Sequence, residues 1–183
     1  MDATQDLVNE HKAVLVALRL LEKIEGALAD RDRQAPEHLD QLLGFFRGFV
    51  DRCHHAKEEE VLFPEMERLG LEGEGPIGVM LEEHEAGRRC VRGMAEGLAR
   101  LQQGDAGALP GIRQNADAYR DLLRRHIEKE EQVLFPMAER MVPAKQAADL
   151  ISRFDAIERE RVGVGKHEEY HAMLDRLRSI YGA

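Results

Sequence analysis

The sequence of 183 residues contains no tryptophan and only two cysteines, Cys53 and Cys90. Two cysteines cannot build the disulfide framework of a small secreted domain. Residues 1–12 lack the basic start and the apolar core of a secretory signal, and no apolar run reaches the roughly 18 residues that a membrane-spanning helix needs. These absences predict a cytoplasmic protein without a membrane partner.

Positive charge is also scarce. The chain has 35 Asp and Glu against 26 Lys and Arg, and its formal net charge is -9 at pH 7. Nucleic-acid-binding domains usually show the opposite balance, so we expect no nucleic-acid partner. Aromatic residues make up only 5% of the chain, which does not favour a stacking platform. The apolar share of 43% and the chain length are those of one folded domain.

Patterns typical of strands are almost absent, and apolar residues recur at spacings of three and four instead. This period predicts long helices that each bury one apolar stripe. Short polar or Gly-rich connections between them favour antiparallel neighbours. We therefore predict an all-α fold, an antiparallel four-helix bundle. The predicted bundle helices are 4–29, 37–68, 76–103 and 110–141.

Two more helices are predicted after the bundle, from about Pro143 to Arg161 and from about Lys166 to Ile180. Together they are too short to bury a good core alone. We therefore divide the chain into a bundle over residues 1–141 and a C-terminal helical extension over residues 142–183, packed on the bundle.

The chain contains an internal repeat. HHAKEEEVLFP (54–64) matches HIEKEEQVLFP (126–136), and NEHKAV (9–14) matches EEHEAG (82–87). The first two helices therefore resemble the next two, which indicates a duplicated helix pair with pseudo-twofold symmetry.

Histidine and glutamate side chains occupy inward-facing positions of these helices. In each repeated His-x-x-x-Glu motif the Glu lies one turn after the His, on the same face. Unpaired buried carboxylates cost several kcal/mol each, and Lys57 and Lys129 are expected to point outward or toward a rim. A metal centre would satisfy all of these groups at once. The inward-facing set is His11, His54, Glu58, His84, His126 and Glu130.

Mixed imidazole and carboxylate ligands suit iron, manganese or zinc. No cysteine takes part in the repeat, which argues against an iron–sulfur cluster or a thiolate zinc site. Two carboxylates among several histidines suggest two metal ions, because a carboxylate can bridge two cations whereas an imidazole nitrogen serves one. Two carboxylate-bridged iron ions are our first choice, with zinc or manganese as alternatives.

The order of these residues, with LFP after each His-x-x-x-Glu motif, resembles the hemerythrin family. More narrowly, it resembles the bacterial hemerythrin HHE cation-binding proteins. The resemblance covers about residues 4–141 and implies a four-helix bundle around a non-haem di-iron centre with both glutamates bridging. The ligands that it implies are His11, His54, Glu58, His84, His126 and Glu130.

The sequence departs from the oxygen-carrying hemerythrins at two places. Those proteins have a second His one turn after the third-helix His, where this chain has Arg88. They also have an Asp five residues after the fourth-helix His, where this chain has Glu130 four residues after His126. The six implied ligands therefore leave the coordination incomplete.

Several groups are candidates to complete it: water, Glu85, His55, or a C-terminal histidine such as His167. A rotation of about 100° separates His55 from His54 on a helix, so a position at the rim is the alternative for His55. His167 and His171 also form an H-E-x-x-H pattern. We set aside a metalloprotease because the sequence shows no strands to hold a substrate.

Further acidic residues flank the predicted ligands. Glu10 and Glu83 are candidates to orient the histidines from behind. In the run from Lys57 to Glu60, every residue except Glu58 is expected to lie on a solvated face.

Three functions remain open at this point. The first is a di-iron protein that binds a small gaseous or peroxide ligand (O₂, NO or peroxide) in sensing, scavenging or iron handling. The second is an oxidoreductase that detoxifies peroxide or NO at the same centre. The third is a module whose metal is purely structural.

Overall fold

The computed structural model describes residues 3–71, 73–163 and 165–182, and these residues form helices and no strand. The predicted all-α class is therefore confirmed. Residues 1, 2, 72, 164 and 183, which the predicted domain ranges include, lie outside the described residues.

The first two helices form the first half of the repeat. Helix α1 spans Ala3–Ala29. Helix α2 is a composite rod that combines α-helical and π-helical segments. Its segments are Ala35–Phe45 (α), Phe46–His55 (π), Glu58–Leu62 (π) and Phe63–Arg68 (α).

The second half repeats this pattern. Helix α3 begins with the π-helical turn Gly73–Ile77, which has a kink at Gly75, and continues as the α-helix Gly78–Gln102. Helix α4 is composite, like α2. Its segments are Ala106–Ala108 (3-10), Leu109–Lys129 (α), Glu130–Leu134 (π) and Phe135–Met141 (α).

Two helices of the C-terminal extension follow. Helix α5 comprises the α-helix Ala144–Ile157 and the π-helical turn Glu158–Val162, and α6 spans Lys166–Tyr181. In the described part of the chain, no helix combines the length and the apolar character that crossing a bilayer would require.

The π-helical turns Glu58–Leu62 of α2 and Glu130–Leu134 of α4 lie at matching positions of the repeat. Each begins at a glutamate of the His-x-x-x-Glu motif and ends two residues before a proline, Pro64 or Pro136. A proline cannot donate the usual backbone hydrogen bond, and a wider turn before it keeps the helix continuous. The repeat thus places Glu58 and Glu130 at equivalent local distortions of the backbone.

Helices α1 to α4 form a closed ring of contacts. Helix α1 packs against α2 and α4, and α3 packs against the same two helices. The interior contains two apolar clusters. Between them lies a layer of buried histidines and glutamates to which all four helices contribute. On α1, for example, Leu7 belongs to one cluster, His11 to the polar layer and Val14 to the other cluster.

The extension packs into the bundle's own cores. Phe154 of α5 joins one apolar cluster and Leu177 of α6 joins the other. At Gly48, a Cβ atom would lie 1.9 Å from the hydroxyl oxygen of Tyr170, so a larger residue there would force the Tyr170 side chain of α6 to move. These contacts favour the packing that the sequence predicts. The domain division at residue 141 itself stays a prediction.

One buried carboxylate away from the polar layer makes the stability depend on pH. Glu25 of α1 is 6% exposed, its Oε1 atom has no hydrogen-bond partner, and its Oε2 atom lies 3.4 Å from the Arg120 guanidinium. Burial raises the pKa of Glu25 to about 7, although Arg120 opposes the shift. A raised pKa in the folded state means that stability is lost as the pH rises through about 7.

We therefore expect Glu25→Gln to stabilise the protein at pH 8 relative to the wild type, by about 1–2 kcal/mol because solvent screens part of the effect. The gain should shrink toward pH 5, where the wild-type carboxyl is protonated. Urea unfolding at both pH values measures this. Glu96→Gln, which changes an exposed carboxylate of α3, is the matched control. An equal effect of Glu25→Gln at both pH values would contradict the assignment.

Candidate metal centre

The six residues that the sequence singles out meet in the polar layer. Each is at most 2% exposed. Together with His55, they form two groups, and within each group the ligand atoms lie within 4.8 Å of one another. Cluster 1 consists of His11, His54, Glu58 and Glu130, and cluster 2 consists of His55, Glu58, His84 and His126.

The two glutamates lie between histidines of both clusters. The Oε1 atom of Glu58 is 3.8 Å from Nε2 of His54, and its Oε2 atom is 3.4 Å from Nε2 of His84. Glu130 is placed in the same way. Its Oε2 atom is 3.2 Å from Nε2 of His11, and its Oε1 atom is 3.0 Å from Nε2 of His126. Each carboxylate therefore has one oxygen on each side, which is the geometry of a bridging ligand.

The histidines face each other in pairs. The Nε2 atoms of His11 and His54 are 3.1 Å apart, and so are those of His84 and His126. In each of these four rings the other nitrogen, Nδ1, contacts a glutamate. In a neutral imidazole, an Nδ1–H that donates to a carboxylate leaves a lone pair on Nε2. Two such lone pairs at this separation repel each other unless a cation lies near both.

The four outer glutamates come from neighbouring helices. Their distances to Nδ1 are 2.8 Å for Glu131 with His11, 2.8 Å for Glu10 with His54, 2.6 Å for Glu59 with His84 and 3.0 Å for Glu83 with His126. Carboxylates in this position fix the tautomer and orientation of metal-binding histidines. The predicted roles of Glu10 and Glu83 agree with this geometry.

The sequence does not predict the roles of Glu59 and Glu131, and the expectation that Glu59 lies on a solvated face is wrong. Its carboxylate is 25% exposed and contacts both His84 and Arg88. The signal was present in the repeat, because Glu59 and Glu131 occupy matching positions directly after Glu58 and Glu130.

The electrostatics of the layer favour positive charge. None of the four carboxylate oxygens of Glu58 and Glu130 has a hydrogen-bond partner among the described residues. Burial and the neighbouring Glu130 raise the pKa of Glu58 well above its usual range. Burial also opposes ionisation of Glu130, but His126 and His11 hold its pKa well below the usual range. A cation between these groups would relieve both the repulsion and the missing contacts.

The histidines differ in the protonation state that their surroundings favour. Burial lowers the pKa of His54 and His84 and thus favours the neutral form that can ligate a metal. Burial opposes charge on His126 as well, but Glu130 and Glu83 raise its pKa to about 9. The set of donors, imidazole nitrogen and carboxylate oxygen, fits divalent or trivalent first-row metals.

His55 belongs to cluster 2, although the sequence left a rim position open for it. Its ring is buried and stacks on the ring of His84 at a centroid distance of 3.8 Å and an interplanar angle of 13°. Its Nδ1 atom has no hydrogen-bond partner among the residues that the structure describes. The matching position of the repeat is Ile127, so cluster 2 has a third histidine and cluster 1 does not.

The structure does not bring His167 or Glu85 into either cluster. Helix α6 places His167 against Glu158, with 3.0 Å between Nδ1 and Oε1. Glu85 is exposed and accepts a hydrogen bond from Arg88. Arg88, which stands where oxygen carriers have a histidine, donates to Glu59 and thereby supports the partner of His84.

The two lysines before the motif glutamates differ in their surroundings. Lys57 is 1% exposed, so the expectation that it points outward or toward a rim is wrong. Its ammonium group donates to Glu10 (2.5 Å) and to Glu158 of α5 (3.4 Å). Burial opposes ionisation of Glu10, but His54 and Lys57 hold its pKa at about 2. This buried carboxylate requires a cation, and Lys57 supplies it.

Lys129 follows the expectation more closely. Its side chain is 42% exposed at the rim, where it pairs with Glu83. The extension covers the Lys57 side and leaves the Lys129 side open. The two halves of the layer therefore share their ligands but differ in their surroundings.

Replacing an outer carboxylate should weaken metal binding without removing a ligand. We expect Glu83→Gln to lower the metal affinity by roughly 10–100-fold, because a neutral amide orients and polarises His126 less well. Competition with a chelator of known affinity measures this. Glu82→Gln changes the exposed neighbour and should leave the affinity unchanged. Equal affinities for the two variants would show that Glu83 has no such role.

Comparison with known proteins agrees with this arrangement. Residues 2–138 match the model of the hemerythrin HHE cation-binding domain. The chain is also similar to uncharacterized proteins of Mycobacterium bovis and Mycobacterium tuberculosis, with 25% identity over 181 residues, covering 97% of this chain and 68% of those proteins. No solved structure matches. Since the family model covers well over half of the chain, the protein belongs to the hemerythrin HHE cation-binding family.

Proposed function

We propose that this protein is a non-haem dinuclear metal protein, with two iron ions as the first choice and zinc or manganese as alternatives. Cluster 1 would hold one ion and cluster 2 the other, and Glu58 and Glu130 would bridge them. The observation that carries the proposal is the convergence of two Nε2 pairs on two buried carboxylates that lack hydrogen-bond partners.

The protein's own groups have distinct roles in this proposal. Bound iron would supply a change of oxidation state and a site for O₂, NO or peroxide. The histidines hold the ions, and the outer glutamates keep each ring in place. The two apolar clusters exclude water on both sides of the layer and so strengthen the electrostatic interactions within it.

Cluster 2 is the better candidate for exchange of a small ligand. His55 lines a cavity of about 310 Å³ that opens between α2 and α3. Cluster 1 lies on the side that Lys57 and Glu158 cover. This asymmetry supports sensing, scavenging or iron handling with a small gaseous or peroxide ligand. It also favours the alternative of a peroxide- or NO-detoxifying oxidoreductase over a purely structural metal.

Two further parts of the proposal have their own support. Along the chain, α1 and α3 run from one apolar cluster to the other, and α2 and α4 run in the opposite direction. The helices of an antiparallel four-helix bundle alternate in this way. Cys53 and Cys90 are both free thiols, in keeping with a cytoplasmic setting.

Metal content tests the dinuclear centre directly. We expect the purified or iron-reconstituted protein to bind two metal ions per chain, measured by elemental analysis together with the near-ultraviolet spectrum. Glu130→Gln should lose at least one ion, because it removes a charged bridging group, whereas Glu128→Gln on the exposed face should lose none. Circular dichroism verifies that both variants are folded. A wild-type protein that holds a single zinc ion, or none, would overturn the proposal.

Spectroscopy with small ligands separates the three functions. We expect NO or peroxide to change the absorption spectrum of the iron-loaded protein, because cluster 2 adjoins an open cavity. Catalytic consumption of peroxide in stopped-flow experiments, lost in His54→Ala, would favour the oxidoreductase. A spectrum that no small ligand alters, together with unfolding on chelation, would instead support a structural metal.

A further inference from the structure

The cavity beside His55 has an apolar wall. It lies between α2 and α3, and a residue of α4 closes one side. The side chains of Phe46, Val91, Ala95 and Tyr119 form the wall, and Phe46 and Tyr119 are in edge-to-face contact at 4.8 Å. At Gly87, a Cβ atom would already lie 3.3 Å from the Tyr119 ring. This wall suits a small flat or aliphatic group.

The lining of the same cavity is basic in an otherwise acidic protein. It contains four arginines and two acidic residues, an excess of two positive charges in a chain of net charge -9. Arg88 is already engaged by Asp51, Glu59 and Glu85. The remaining arginines are exposed and make no hydrogen bond or ion pair with another described residue. They are Arg47, Arg52 and Arg92.

Unsatisfied polar groups also line the cavity. Within the described ranges, the Nδ1 atom of the buried His55 has no hydrogen-bond partner, and it lies 3.7 Å from Oδ1 of Asp51. The hydroxyl group of Tyr119 makes no hydrogen bond with another described residue, and burial raises its pKa, so that it stays a neutral donor. An apolar wall with a few polar groups and a charged rim is typical of a small-molecule site.

We propose that this cavity binds a small organic carboxylate with a short apolar or aromatic body. The body would contact the wall of Phe46 and Tyr119, and the carboxylate would pair with the free arginines at the rim. Guanidinium groups match carboxylates in geometry as well as charge. A neutral ligand would leave the arginines unused, an inorganic anion would leave the wall unused, and a cation would be repelled.

The proposed carboxylate site is separate from the dinuclear centre and depends on the side chains of the cavity. The bound carboxylate would lie next to cluster 2 and would control the access of small molecules to that cluster from the side of His55. The carboxylate is placed at the rim and does not ligate a metal. The two proposals can therefore fail separately.

Benzoate and benzamide are suitable probes because they have the same shape and differ in charge. We expect calorimetric titration of the protein as purified to show benzoate binding at least about tenfold more tightly than benzamide, and more weakly as salt is added. Inorganic phosphate should bind more weakly than benzoate, since it cannot use the wall. Equal binding of benzoate and benzamide, or phosphate binding as tight as that of benzoate, would overturn the proposal.

Variants locate the site. The double variant Arg52→Gln/Arg92→Gln should weaken benzoate binding by about tenfold or more, whereas Arg19→Gln, an exposed arginine on α1, should have no effect. Ala95→Phe should fill the cavity and abolish binding, whereas Ala99→Phe, one turn further along α3 and exposed, should not. The arginine variants alter only exposed side chains, so they remain informative even where Ala95→Phe fails to fold.

The metal spectrum distinguishes rim binding from ligation. We expect benzoate to bind without displacing the metal and to lose affinity in the arginine variants. Benzoate that shifts the metal absorption and binds equally well to those variants would be a metal ligand, and the proposed cavity site would be wrong. Metal stoichiometry is measured separately, so a missing dinuclear centre would not be mistaken for a missing carboxylate site.

Discussion

Repulsion between like groups in an apolar interior is the constraint on which the rest of this structure depends. The carboxylate oxygens of Glu58 and Glu130 have no hydrogen-bond partners in the described part of the chain, and the facing imidazole nitrogens are 3.1 Å apart. Apolar packing on both sides of the layer keeps water from relieving this repulsion. The outer glutamates then act in two ways, since they hold the rings and add negative charge. Bound cations are the simplest arrangement that stabilises all of these groups together.

The duplicated helix pair gives the layer its symmetry, and the residues around the layer break it. His55 corresponds to Ile127, and the buried Lys57 corresponds to the half-exposed Lys129. One side of the layer thus lies under the extension, and the other side adjoins a cavity. Equivalent residues in unequal surroundings give the two clusters different access to solvent.

Much of this arrangement could be predicted from the sequence, because helical periodicity and an internal repeat depend on local spacing. The six inward-facing residues needed only the phase of each helix. The role of Glu59 and the burial of Lys57 depend on which helices lie side by side, and a single sequence does not contain that information. The same holds for His55. Its rotation from His54 on a regular helix favours a position at the rim, whereas the π-helical segment Phe46–His55 and the contact with His84 bring it inside.

Each cluster draws ligands from both halves of the repeat, and this has a consequence for its origin. His11 and His54 belong to the first half, whereas Glu130 belongs to the second. A single helical hairpin would therefore lack a complete site, and only a pair of such hairpins would form one, with two identical positions. Joining the hairpins in one polypeptide frees each copy to mutate independently. Gene fusion thus allows a symmetric homodimer to evolve into a protein whose two clusters differ in their surroundings.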